Sequence, residues 1–243
     1  MLFKLKYCFL LTMFGLIISC DDDGLEEETL HESLSPFSTV ELNSVFDVYL
    51  VEDTIYALNI RGHGNAIKNI EFKVENEILR ISNRSRVKWI MPDKNKVKLF
   101  IHSKTLKEVR PNETCFITTV NPITADEFRI VMGHNPKLSR LDLELNCRTF
   151  YYWNNHQCGG KLTITGKAED LMIYIYGLMS VDANELAADN VWIENNSKGD
   201  CNVRADKWIQ YSIRGVGNIY LYGSPEVIIP QEVTSSGKLI PMD

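Results

Sequence analysis

Residues 160–223 read GKLTITGKAEDLMIYIYGLMSVDANELAADNVWIENNSKGDCNVRADKWIQYSIRGVGNIYLYG. Similar seven-residue units recur in it: GKLTITG at 160–166, GLMSVDA at 177–183, GDCNVRA at 199–205 and GNIYLYG at 217–223. Between them lies a second kind of unit, LMIYIYG, VWIENN and WIQYSIRG, each preceded by a polar pair: Glu169 and Asp170, Asp189 and Asn190, Asp206 and Lys207. Apolar and polar side chains alternate within a unit, the mark of a strand with one buried face. Short strands and turns recurring at a period of about 20 residues are what a chain wound into stacked coils shows. A β-sandwich is the alternative, but it gives its strands no reason to resemble one another.

A coil cannot bury its inner row alone, so coils stack and share one core. The predicted inward row is Leu162, Ile164, Leu171, Ile173, Ile175, Val181, Leu186, Val191, Ile193, Val203, Ile209, Ile213, Ile219 and Leu221. Neighbours on a strand point the other way. Tyr174, Tyr176, Trp192, Gln210, Ser212 and Arg214 therefore form an outward row.

The same texture extends back to Phe37. FSTVELNSVFDVYLVED predicts strands at about 37–42 and 45–51, and YALNIRG, IEFKVEN, ILRISN, KVKLFIHS, FRIVMG and LDLELNC continue the alternation. No helical period follows residue 36. The expected class is all-β, a single-stranded parallel β-helix (solenoid) with short irregular coils. The strands before residue 84 are expected to cover one end, and VIIPQEVTSSGKLIPMD, 227–243, to close the other.

Before Phe37 the chain changes character. MLFKLKYCFLLTMFGLIIS, residues 1–19, has Lys4 and Lys6, then an apolar run, then the small Ser19, the layout of an export signal. Ile18, Ser19 and Cys20 resemble a bacterial lipobox, in which the cysteine is lipidated and becomes the first mature residue. Asp21, Asp22 and Asp23 resemble the export tag of surface lipoproteins in the Bacteroidetes. The domain reading is a signal peptide at 1–19, a lipid anchor and acidic tether at 20–36, and a head at 37–243. The implied place is the outer membrane, with the head at the cell surface or facing the periplasm.

Acidic residues outnumber basic ones, 32 to 26, so no broad cationic face exists to neutralise nucleic-acid phosphates. A local exception, NRSRVKWIMPDKNKVK at 83–98, reads as a solvated hairpin that shields an edge, with contact to an acidic glycan or a lipid headgroup as the alternative. Cys115, Cys147, Cys158 and Cys201 contain no CxxC pair. A disulfide between Cys147 and Cys158 would close the loop CRTFYYWNNHQC; free buried thiols are the other reading.

The opening FSTVELNSVFDVYLVEDTIYALNIRGHGNAIKNIEFKVENEILRIS resembles the start of the auto-transporter adhesin head domain called GIN (DUF2807), a family of unknown function common in Bacteroidetes lipoproteins. Residues 162–225 resemble its repeated body, with Gly215, Gly217, Ile219, Tyr222, Gly223 and Pro225 at the pattern's positions. The resemblance spans roughly 37–240 and is weakest between 84 and 158. It implies a right-handed parallel β-helix and an adhesin-like partner, a glycan or a protein. A family pattern of serine and glycine is replaced here by Ile175, Tyr176 and Gly177, and by Asn196 to Gly199.

The alternatives to a binding head are a purely structural envelope protein and a polysaccharide-processing enzyme of the β-helix type, which would use an acidic cluster or facing carboxylates. Asp182, Glu185, Asp189, Asp200 and Asp206 are the nearest candidates, and they read as turn residues. His31, His63, His102, His134 and His156 make no short ligand pair, and no GxSxG elbow is present. No catalytic residue, metal or cofactor is assigned. Binding has better material. FYYWNNHQ at 150–157 sets Phe150, Tyr151, Tyr152 and Trp153 in one loop or strand beside the amides of Asn154 and Asn155, a pairing suited to a sugar's apolar face and hydroxyls, although on a strand half of these rings would belong to the core. The predicted ligand-binding set is Tyr174, Tyr176, Trp192, Arg214, Tyr151 and Trp153, with sheet-stabilising stacking as the bland alternative. Self-association through an open solenoid end is the further partner expected.

Overall fold

A computed structural model describes residues 27–85 and 97–242. The signal segment, Cys20 with its acidic run, and Arg86, Lys88, Trp89, Lys94 and Lys96 of the basic stretch lie outside the described residues.

Strands dominate. The first half holds β1 (Glu27–Ser33), β2 (Thr39–Leu42), β3 (Phe46–Glu52), β4 (Ala57–His63), the one-turn α1 (Gly64–Ile67), β5 (Ile70–Glu75), β6 (Ile78–Asn83), β7 (Val97–Ser103), β8 (Glu108–Pro111), β9 (Cys115–Thr119) and β10 (Glu127–Val131). Then come β11 (Leu138–Trp153), β12 (Cys158–Ser197), β13 (Cys201–Arg204), β14 (Trp208–Ile213), β15 (Ile219–Tyr222), β16 (Val227–Val233) and β17 (Leu239–Pro241). Two corrections follow. Residues 27–33, expected in the tether, are a strand paired with β4, and the helix-free expectation misses α1.

The strands wind into a parallel β-solenoid of about six turns. One stack runs β6, β2, β8, β10, the second half of β11, β12, β14 and β16. The other runs β7, β3, β9, the first half of β11, β12, β13, β15 and β17. β12 is 40 residues long and passes through both stacks twice. Bonds between its successive coils fix the register: Asn190 to Asp170, Lys161 to Asp182, and the Ser180 hydroxyl to the Gly160 carbonyl.

Inner rows of both stacks meet in one core. Every residue of the predicted inward row is buried. Each isoleucine or leucine so placed contributes about 1.5–3 kcal/mol relative to exposure. Corners need polar atoms, because a turning chain leaves backbone groups without a ladder partner. Fully buried Asn195 fills that need: its amide donates to the carbonyls of Gly199 and Gly217, and its oxygen accepts from the Ser197 N–H at 2.8 Å. Asn154 repeats the device, donating to the Tyr176 carbonyl and accepting from the His156 N–H. Its amide is therefore spent inside, which corrects its assignment to a sugar.

The ends differ. The β2–β3 coil sits between the β6–β7 and β8–β9 coils, out of chain order, and antiparallel β1, β4 and β5 cover that end. At the other end 227–241 adds a last coil rather than a lid. Ile228 and Val233, which continue the inner rows of Ile209 and Ile213, are 46 % and 50 % exposed. Pro230 and Pro241 lie in the two outermost strands and remove N–H groups that would invite further pairing.

Cys147 and Cys158 are not bridged; with Cys115 and Cys201 they are free and buried. Cys147 aligns with Ala168, whereas Cys158 starts β12 beside the neighbour of Leu138, so the two face different parts of the circumference. Burial pushes the thiols up, to about 12 for Cys115 and about 11 for Cys147. Little thiolate forms at neutral pH. These four cysteines are expected to resist a thiol-specific chromogenic reagent in the folded head and to react together once denaturant unfolds it, as stopped-flow absorbance would record.

Candidate functional site

On the outer face of the first stack, alternate residues of β11 and two passes of β12 fall into register. Trp153 aligns with Tyr174 and Tyr151 with Met172, and the bond from Asn190 to Asp170 brings Trp192 and Glu194 alongside one coil later. Two rows of three result: Tyr151, Met172 and Trp192, then Trp153, Tyr174 and Glu194. They line a depression of about 310 Å³ floored by Ile173.

The rings are ordered by each other. Trp153 stacks on Tyr174 with centroids 4.2 Å apart and planes 21° apart, and Tyr151 lies 5.9 Å from Trp153 at 14°. Trp153 and Tyr174, stacked face to face on adjacent coils, cover part of each other and bring their remaining aromatic carbon to the depression as one apolar cluster. Trp192, 39 % exposed, forms its edge. Burial, followed by the charge of Glu194, raises the Tyr151 phenol above its usual pKa, so it remains a hydrogen-bond donor. Glu194 supplies an acceptor at the rim, held by Arg214 at 2.7 Å.

The remaining predicted residues separate. Tyr176 is exposed on the same face but beyond the depression. Arg214 clamps Glu194 and Glu232, each at 2.7 Å, which keeps its guanidinium protonated. Ser212, expected outward, is buried: it aligns with Glu194 on one side and Glu232 on the other, beneath the Arg214 clamp. Gln210 is half-buried beside Trp192. Met172 and Glu194 were missed by sequence reasoning; the coil register is the signal that finds them. Toward the capped end the face turns ionic, with Arg80 and Arg110 on Glu41 and Arg110 and Arg129 on Glu108.

Elsewhere the polar groups have structural work. Asp182 and Asp189 pair with Lys161 and Lys207 of adjacent coils, and Asp200 accepts the Asn218 N–H. His102 joins Asp53 to Asn59, which reaches His31. The rings of His134 and His156 lie 4.0 Å apart. Among the described residues no group of three His, Cys, Asp or Glu is placed to hold a metal ion.

Residues 36–225 match the family profile described as "Putative auto-transporter adhesin, head GIN domain". No curated protein matches the chain. Among solved structures, it is similar to a putative adhesin from Bacteroides fragilis, with 22 % identity over 89 % of this chain and 97 % of that one and a TM-score of 0.78. A putative lipid binding protein from Parabacteroides distasonis is 17 % identical over 89 % and 97 %, with a TM-score of 0.63. A putative adhesin from Parabacteroides merdae is 16 % identical over 90 % and 97 %, with a TM-score of 0.59. At these identities the likeness is one of fold.

Proposed function

Since the chain belongs to the auto-transporter adhesin head GIN domain family, we propose that it is an adhesin-like binding head, tethered to the outer membrane through lipidated Cys20, that holds a glycan against the aromatic depression. What supports this reading is the cluster of Tyr151, Trp153 and Tyr174 lining one depression with Trp192 and Glu194. Sugars present a ring face of C–H bonds and an equator of hydroxyls. Stacked aromatics cover the first, and the Tyr151 phenol and Glu194 carboxylate meet the second.

Size favours a glycan over a protein. A volume of about 310 Å³ suits one or two sugar rings, whereas a stable protein interface needs a patch exceeding about 1,000 Å². The lipid-binding name borne by the Parabacteroides distasonis structure would call for an apolar cavity that encloses a chain, and this depression is shallow with an ionic rim. The position of the platform on strands keeps it preorganised, so little ordering cost opposes binding.

The test is a printed panel of bacterial and host oligosaccharides probed with the intact chain, its Trp153→Ala/Trp192→Ala form and Tyr176→Ala. One glycan class should bind to the parent and to Tyr176→Ala and be lost by the double variant. A parent that binds no glycan at high protein concentration sinks the proposal.

A further inference from the structure

We infer that the head carries a second, independent saccharide site on the outer face of the other stack, turned away from the aromatic platform. Its residues are Asp47 and Tyr49 from β3, Phe116 and Thr118 from β9, and Arg140 and Asp142 from β11, which line a depression of about 370 Å³. Pairing aligns them as two rows: Asp47, Phe116 and Arg140, then Tyr49, Thr118 and Asp142. The plan is that of the first platform, two rows of three from three neighbouring strands.

Folding alone does not account for this patch. Phe116 is 43 % exposed at the centre of a row of polar residues, where it covers no core. Tyr49 is fixed by its neighbours, its ring 4.6 Å from Phe100 at 12°, with Arg61 on Phe100 at 5.8 Å. A held ring therefore stands beside an exposed one, and the groups around them are largely unspent. The Asp47 carboxylate, the Thr118 hydroxyl and the Tyr49 phenol have no hydrogen-bond partner among the described residues. Arg140 uses its Nε on Asp142 at 2.7 Å, leaving its terminal nitrogens as donors.

That inventory selects the ligand class. A carboxylate that accepts two hydroxyls, a fork of guanidinium donors, two hydroxyl-bearing side chains and aromatic carbon together match a pyranose, with its C–H face and its many hydroxyls. A cationic amine would meet Arg140 as a like charge, and a purely acidic group would meet two aspartates. All six residues are on strands, so the site is preformed. The two platforms lie on outward faces of opposite stacks, which lets one head bridge two glycan chains.

This inference needs neither the first platform nor its ligand. The test uses the same printed oligosaccharide panel with the intact chain, the Trp153→Ala/Trp192→Ala form, the Phe116→Ser/Asp47→Asn form, and the form with all four changes. The tryptophan variant should retain a subset of glycans, and the added changes should weaken that subset at least tenfold with the melting temperature unchanged. Binding by the tryptophan variant that is unchanged when Phe116→Ser and Asp47→Asn are added, or complete loss already in the tryptophan variant, overturns the second site. If Phe116→Ser/Asp47→Asn in the parent removes all binding, this site stands and the first reading fails. A parent that binds nothing overturns both.

Discussion

Gly160→Ala is expected to destabilise the head by about 3 kcal/mol or more, enough to unfold a marginal domain, whereas Gly159→Ala, one residue earlier, is expected to change stability by less than about 1 kcal/mol. Gly160 has φ +126°, a region that side-chain-bearing residues rarely enter, and a Cβ built there would overlap the carbonyl oxygen of Ser139. That carbonyl cannot retreat. Ser139 is buried and paired in register with Gly160, and the Gly160 carbonyl in turn accepts the Ser180 hydroxyl from the next coil. Three coils are thus fixed at one corner, and the added methyl would have to part them. At Gly159 the same atom would meet the Lys137 carbonyl at 3.4 Å and Leu178 at 3.5 Å, ordinary contacts. Midpoints of urea unfolding for the two variants measure the contrast. Equal midpoints would show that the coil spacing described here is wrong.

The second large effect concerns binding. Trp153→Ala should weaken glycan binding by about 2 kcal/mol, roughly thirtyfold, and Trp192→Ala by about half that free energy. Trp153 is central, stacked on Tyr174 and adjacent to Tyr151, so its loss also frees those rings to move. Trp192 touches the rim alone and leaves the stack intact. The two changes act on one platform, and their combination should exceed a hundredfold loss without being a simple sum. Trp153→Ala also removes an aromatic pair worth about 0.5–1.5 kcal/mol of stability, so its melting temperature has to be followed beside its affinity. Titration calorimetry on the glycan found by the panel gives both affinities. Equal losses from Tyr176→Ala, which lies outside the depression, would contradict this placement.

How much of this could be read from the chain depends on which interactions are periodic. The inner rows of β12 to β15 were legible because alternation fixes a face and the repeated units fix a coil. Tyr174 and Trp192 were placed outward by the same rule, whereas the run Phe150 to Trp153 left open which rings face out. What failed was non-periodic. The insertion of the β2–β3 coil between later coils is set by long-range pairing, which no local pattern records. Asn154 looked like a ligand amide because its use at a buried corner depends on where the next coil passes. Ser212 obeyed the alternation and was still buried, because Arg214 spans it. The patch of Tyr49, Phe116 and Arg140 joins three strands far apart in sequence, so only the register reveals it.

On the proposed reading, a sugar ring packs its C–H face against the aromatic cluster of Tyr151, Trp153, Tyr174 and Trp192. Saturation-transfer difference NMR of the bound glycan on the intact chain, irradiating the protein's aromatic protons, tests it most directly. Strong transfer to the ring C–H protons of one sugar face, abolished in Trp153→Ala/Trp192→Ala and preserved in Tyr176→Ala, is the predicted result. Transfer that stays unchanged in the double variant would place the glycan elsewhere and contradict the account.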